Sequence, residues 1–241
     1  MRIIIVRHGD PDYVNDTLTE KGWREAEMLA ERLARTEITD FYVSPYGRAK
    51  DTASCTLKKM NRKAETMEWM REFEPRIHRP DRALRKTRVW DWLPADWTGR
   101  DHFYDYDHWC DDPLMRQGHV REEYDKVCQG LDALLAKHGY VHEGRIFRVT
   151  RSNHDTICLF CHFGVEMVML SHILQISPMP LWHGFAASPS SVTVLYSEER
   201  REGTAIFRIR QFGDLSHLYM HGEEPSFAAR YAECFEDETL H

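Results

Sequence analysis

The chain opens on Arg2-Ile3-Ile4-Ile5-Val6, an apolar run without alternation. Such a run predicts a strand buried on both faces. The period then changes. Over residues 19–34, Trp23, Ala26, Leu29, Ala30 and Leu33 recur at helical spacing, predicting an amphipathic helix with Thr19 as its N-cap. Phe41-Tyr42-Val43 reads as a short strand, and Ser44-Pro45 as the N-cap and first-turn proline of a helix reaching about Lys59. A further strand is expected over residues 65–70. Beyond the middle of the chain, Tyr124, Val127, Leu131, Leu134 and Leu135 predict a helix over residues 120–137, stopped by Gly139. Strands follow at 145–149 and 156–161, a helix at 165–174, and closing strands at 192–196 and 205–210. Strands alternating with helices predict an α/β fold: a three-layer sandwich with a mainly parallel central sheet and helices on both faces. Ligands of such folds bind at the carboxyl ends of the strands.

Residues 75–116 break the rhythm. They hold four of the seven tryptophans (Trp90, Trp92, Trp97 and Trp109), interleaved with Arg79, Arg82, Arg85, Lys86 and Arg88, with no sustained period. Irregular stretches of that length are usually functional, so this one reads as an insertion over the core. Two roles are open to it. The tryptophans can form a satellite core beside a solvated basic face, or the segment can be a lid whose aromatic and basic residues select a ligand.

Composition narrows the class. With 241 residues and 42% hydrophobic content, the chain suits one α/β domain over residues 1–241, with the insertion or lid at about 75–116. A formal net charge of −7 argues against nucleic acid or an anionic membrane as partner. No apolar run approaches the ~20 residues that span a bilayer, and Ile3 to Val6 is too short for a signal-peptide core. The expected location is cytoplasmic. Six scattered cysteines form no disulfide framework. Cys158-Leu-Phe-Cys161-His162 matches a haem-attachment spacing, but without an export signal or a second cysteine pair it reads as core packing. The acidic end, with Glu233 and Glu238, reads as solvated and has no assigned role.

Reactive side chains fall just after the predicted strands. Arg7-His8-Gly9 follows the first, Arg48 lies in the helix after the second, Glu72 ends the third, and His162 ends the strand at 156–161. Singly, each is an ordinary polar residue. Together they fit one reaction. A neutral imidazole attacks phosphorus, guanidinium groups match phosphate oxygens, and a carboxylic acid protonates a leaving alkoxide and then activates water.

The ordered series Arg7-His8-Gly9, Ser44-Pro-Tyr-Gly-Arg48-Ala49, Met70-Arg71-Glu72 and His162 resembles the histidine phosphatase superfamily, in the branch that includes cofactor-dependent phosphoglycerate mutases. Leu18-Thr19-Glu20-Lys21-Gly22 is similar to that family's opening of its first helix. The resemblance implies that His8 is the phosphorylated nucleophile and that Arg7, Arg48 and His162 form the phosphate pocket. Glu72 would be the proton donor and acceptor. It implies no metal and no other cofactor, since arginines and histidines neutralise the developing charge. Three places depart from the family pattern: Asp10-Pro11 stand where Glu and Ser or Thr are common, Phe163 separates His162 from Gly164, and Phe73-Glu74-Pro75-Arg76 replaces the Arg-His-Tyr-Gly of the mutases. The expected function is a phosphatase acting on a small phosphorylated molecule. The alternatives are a phosphomutase and a non-catalytic phospho-ligand module.

Overall fold

The first strand, β1 (Arg2–Arg7), divides its side chains between two cores in a computed structural model that describes residues 1–226 and 234–235. Ile3 and Ile5 enter one cluster, and Ile4 and Val6 the other. That split is what a continuous apolar strand between two layers requires. The acidic residues Glu233, Glu236, Asp237 and Glu238 lie outside the described residues.

The other strands of the main sheet are β2 (Asp40–Val43), β3 (Glu65–Thr66), β4 (Tyr140–Glu143), β5 (Ile146–Val149), β6 (Thr156–Cys161), β7 (Val192–Arg201) and β8 (Thr204–Asp214). Among the described residues they form one eight-stranded sheet in the order β3-β2-β6-β1-β7-β8-β5-β4. Helices α1 (Glu20–Leu33) and α2 (Gly47–Met60) cover the face of Ile4 and Val6 through Leu29, Leu33, Ala49 and Ala53. Helices α3 (Val120–Lys137), α4 (Phe163–Leu174) and α5 (Pro178–Gly184) cover the other face through residues such as Leu131, Val168 and Trp182. The three-layer α/β architecture expected from the pattern is present.

Its sheet is mixed. The half built from β3, β2, β6 and β1 is parallel, and β7, β8, β5 and β4 continue it antiparallel. Turn length explains two of these antiparallel pairings. Only Glu202-Gly203 separates β7 from β8, and only Gly144-Arg145 separates β4 from β5. Both glycines have positive φ. Two-residue turns close antiparallel hairpins and cannot carry a parallel crossover.

Local differences from the pattern have physical causes. Thr19 caps α1 as expected, its hydroxyl accepting from Gly22 N at 3.1 Å. Trp23 is not core: its flank of α1 leaves it 38% exposed. Ser44 does not cap α2. Its hydroxyl is committed to His162, and Asp16 Oδ2 instead accepts from Gly47 N at 2.7 Å. Of the strand expected over 65–70, only β3 pairs, and Glu68–Met70 turns into a 3-10 helix. Cys158 and Cys161 are fully buried in the sheet, as core packing requires.

The insertion is packed, not loose. Trp90, Trp92, Trp97 and Trp109 are all buried in the cluster beneath α3 and α4. Trp182 of α5 receives Trp109 edge-on at 5.6 Å and Phe73 stacked at 5.5 Å. Arg79 braces the turn. Its buried guanidinium donates to the Trp90 carbonyl at 2.9 Å, to the Asp91 carbonyl, and to Asp81 Oδ2 at 2.9 Å. Asp91 there has a φ of 69°, which a non-glycine residue holds only when its surroundings impose it. Replacing Arg79 by Met leaves buried acceptors unpaired, so chemical denaturation should show a loss of about 3 kcal/mol or more. Arg85→Met, at an exposed position, should stay within about 0.5 kcal/mol of wild type. Equal stability of the two variants would remove Arg79 from this bracing role.

Candidate active site

Three neighbouring parallel strands end side by side and place the site residues. The pairing of Arg7 with Cys161 sets β1 and β6 level, and His8 N donates to Cys161 O at 3.0 Å. The next residues, His8 and His162, therefore face each other with ring centroids 5.1 Å apart. One strand over, Ser44 N donates to Phe160 O at 2.9 Å, which brings the Ser44 hydroxyl within 2.7 Å of His162 Nε2. Arg48 is the second residue of α2, so its guanidinium stands beside the positive end of that helix.

His8 is 1% exposed, and its Nδ1 lies 2.8 Å from Gly9 O. Since a carbonyl only accepts, Nδ1 carries the proton and Nε2 keeps its lone pair. Burial, and next the Arg7 charge, hold His8 well below the usual imidazole range. Burial and the neighbouring His8 do the same to His162. Both rings are neutral near pH 7. Arg7 is anchored by donating to Ala187 O, and Arg48 by donating to Asp16 Oδ1 at 2.6 Å. Their Nε atoms are buried donors without protein partners, and His162 Nδ1 is likewise buried and unpartnered. Each costs about 1–3 kcal/mol when unsatisfied, an arrangement suited to an anion with several acceptor oxygens.

Glu72 approaches from the segment after the 3-10 turn. Its Oε1 accepts from Phe73 N at 2.8 Å and from Val165 N at 3.1 Å, which joins it to the first turn of α4. Burial pushes its carboxyl up, which keeps it available as an acid. Beside it opens a cavity of about 650 Å3 whose wall includes Arg7, Glu72, Arg85, Arg88, Trp90 and Trp97. The set combines a neutral nucleophile, a group of anion donors and a proton donor at one mouth. That arrangement can bind a phosphoryl group, attack it in line and protonate what leaves.

The family model for the histidine phosphatase superfamily, branch 1, matches residues 3–208. This chain belongs to the histidine phosphatase superfamily. A 2,3-bisphosphoglycerate-dependent phosphoglycerate mutase of Thermoplasma acidophilum is 38% identical over 73 residues, 26% of this chain and 36% of the mutase. The chain thus matches about a third of that relative's length. Among solved structures, a phosphoserine phosphatase variant of Entamoeba histolytica in complex with phosphoserine is similar with a TM-score of 0.60 and 18% identity, covering 90% of this chain and 98% of that one. A mycobacterial glucosyl-3-phosphoglycerate phosphatase gives a TM-score of 0.56 at 16% identity, covering 88% and 98%. At these identities the structures establish the shared fold.

All five residues singled out from the sequence meet here: Arg7, His8, Arg48, Glu72 and His162. Others were not singled out as site residues. Arg88, in the insertion, is close enough for its charge to act on His8, His162 and Glu72. Asp16 holds Arg48, and the Ala187 carbonyl holds Arg7. Glu166, on the first turn of α4, is buried and pushed up to about 7 by that burial, with the Thr193 hydroxyl and Arg7 opposing in part. Its one signal in the sequence is that an acid interrupts the otherwise apolar run Phe163 to Leu170.

Gly164 is where the acid and the insertion touch α4: a Cβ there would lie 2.5 Å from the Trp90 ring and 2.8 Å from Glu72 Oε1. An NMR titration checks the electrostatics. Both His8 and His162 should stay neutral to well below pH 6.5, the ordinary imidazole value. Protonation of His8 in the ordinary range would contradict this reading of the pocket.

Proposed function

We propose that the chain is a phosphatase that hydrolyses a phosphate monoester through a phosphohistidine on His8. The observation that carries this is the 2.8 Å contact of His8 Nδ1 with Gly9 O, which leaves Nε2 as a neutral nucleophile among Arg7, Arg48 and His162. In the first step His8 Nε2 bonds to phosphorus as the ester P–O bond breaks, and Glu72 gives its proton to the leaving oxygen. Arg7, Arg48 and His162 hold the phosphoryl oxygens as charge builds. In the second step the Glu72 carboxylate takes a proton from water, whose oxygen attacks phosphorus and releases phosphate and neutral His8. No step calls for a metal or other cofactor.

The substrate is a small molecule whose organic part carries a carboxylate or second phosphate. The basic wall of Arg82, Arg85 and Arg88 around the cavity supports this. So does the complex of the Entamoeba histolytica phosphatase with 3-phosphoglyceric acid. The chain acts as one unit in which residues 75–116 roof the site. The second reading is a phosphomutase, which returns the phosphoryl group to substrate, and the similarity to a mutase over 73 residues favours it. Phe73-Glu74-Pro75-Arg76, in place of the mutase segment, favours hydrolysis. Among the described residues no helix is long and apolar enough to cross a membrane. The six cysteines, none in a disulfide, support a cytoplasmic setting.

A panel of phosphorylated metabolites, assayed for released phosphate and for isomerised product, tests the proposal. Wild type should release phosphate, and His8→Ala should abolish release and the acid-labile phosphoryl group trapped on wild type. Glu72→Gln should slow alkyl phosphates by about 10²–10⁴-fold and aryl phosphates less in the phosphorylation step. Because Glu72 must be protonated, wild-type turnover should fall as pH rises through its raised pKa, and the glutamine variant should lack that limb. Substantial turnover by His8→Ala, or isomerised product in place of phosphate, would replace this mechanism.

The roof has its own test. Arg85→Ala should lower kcat/KM for anionic substrates by about tenfold, the order of one charge-assisted hydrogen bond. A small aryl phosphate, whose organic part carries no charge, should be spared. An unchanged substrate ranking would exclude Arg85 from selection.

A further inference from the structure

At the far end of α4 from His162, three ligand atoms from three elements converge. Asp132 projects from α3, His142 from edge strand β4, and His172 from the last turn of α4. His172 lies ten residues along the helix from His162, about 15 Å at 1.5 Å per residue, so the cluster stands apart from the phosphoryl site. Asp132 Oδ1 is 3.1 Å from His142 Nδ1 and 2.8 Å from His172 Nε2, and the two nitrogens are 3.0 Å apart. Among the described residues this is the group of His, Cys, Asp and Glu side chains whose atoms could share a metal ion.

Protons alone do not satisfy this triangle. If both imidazoles donate to the carboxylate, two N–H groups oppose each other across 3.0 Å. If one donates to the other, the acceptor's lone pair meets the carboxylate oxygen. Each placement leaves one side of the triangle repulsive. A cation with all three lone pairs turned inward removes the conflict. From the three separations, a point about 2.1 Å from every ligand atom lies roughly 1.2 Å off their plane, matching metal–imidazole and metal–carboxylate lengths. Two imidazoles with one carboxylate suit a divalent transition ion, whereas magnesium and calcium want oxygen ligands.

We propose that Asp132, His142 and His172 form a divalent transition-metal site, with zinc as its simplest occupant and water completing the coordination. Asp132, whose side chain is 35% exposed, marks the route to solvent, and the imidazoles are only 10% exposed. The outer contacts suit the role. Tyr106 OH lies 3.2 Å from His172 Nδ1 and can receive its proton, which turns Nε2 toward the ion. His142 stacks on Phe147 at 4.7 Å, which fixes its ring. Gln175 Nε2 now meets His142 Nε2 at 3.1 Å and donates to His172 O at 3.0 Å. Binding the ion moves the His142 proton to Nε2, which displaces the Gln175 amide from that nitrogen. The ion would tie α3, β4 and α4 together and, through Tyr106, fasten the insertion that roofs the cavity.

Chelator-treated protein titrated with zinc tests the site. Wild type should take up one equivalent more than Asp132→Asn or His142→Ala, and its Tm should rise by about 5–10 °C at a hundredfold excess over Kd. The variants should show no such rise, and their turnover of a small aryl phosphate should persist. Zinc-soaked wild-type crystals should show an anomalous peak within bonding distance of all three side chains, a readout that needs no variant. Equal zinc uptake and equal Tm response in wild type and Asp132→Asn, or an anomalous map without that peak, would overturn the proposal.

Discussion

The parallel pairing of β1 with β6 is the contact on which the rest of the site depends. In its register Arg7 lies opposite Cys161, so both strands end at the same level and the next residue of each is a histidine. A slip of one residue would turn every side chain of β1 to the opposite face and mix the two cores that Ile3 and Ile4 separate. A slip of two would keep the faces but carry His8 about 6.6 Å along the strand, more than the present 5.1 Å between the rings. The register is held by continuous burial: Ile157, Cys158, Leu159 and Phe160 pack as fully as their partners on β1. Core packing and catalytic alignment are therefore one constraint.

Electrostatics follows from that placement. The strand ends bury two imidazoles beside two guanidinium groups, and the charged imidazole is what becomes unfavourable. Each arginine is balanced from a different direction, Arg48 by the Asp16 carboxylate and Arg7 by the Ala187 carbonyl, and each keeps a buried Nε without a partner. Asp16 does two jobs. It also accepts from Gly47 N, so one side chain caps α2 and aims the arginine that follows the cap. Ser44 is thereby released for His162.

How much of this was legible varies with the range of the interaction. β1, α1, α3 and β6 could be read because their apolar spacing is local and long enough to be unambiguous, and the site histidines because they abut those strands. The antiparallel half of the sheet was partly hidden: Tyr140-Val141-His142-Glu143 is too short and too polar to announce a strand. The bond between Ser44 and His162 spans 118 residues and overrides a good local capping signal. Arg88 could be counted in the sequence among the basic residues of the insertion, but nothing nearby marked it as the one that reaches the histidines. Contacts closed only by the tertiary fold leave no period behind.

The insertion and the acid are also mechanically joined, which bears on how specificity and chemistry can vary. Trp90 presses on Gly164 from one side while Glu72 Oε1 approaches the same glycine from another. Val165 N then fixes the carboxylate. Phe73, the residue after Glu72, lies 6.5 Å from Trp90 and 5.5 Å from Trp182, ring to ring. Trp90 and Trp182, which line the cavity, thus also hold the acid in place. A change in their bulk displaces Glu72 as well as reshaping the cavity, because a close-packed cluster transmits a shift of a methylene's width. The exposed Arg85 is under no such restriction. Substrate preference can therefore drift through exposed roof arginines such as Arg85 while Trp90 stays fixed by the position of the acid.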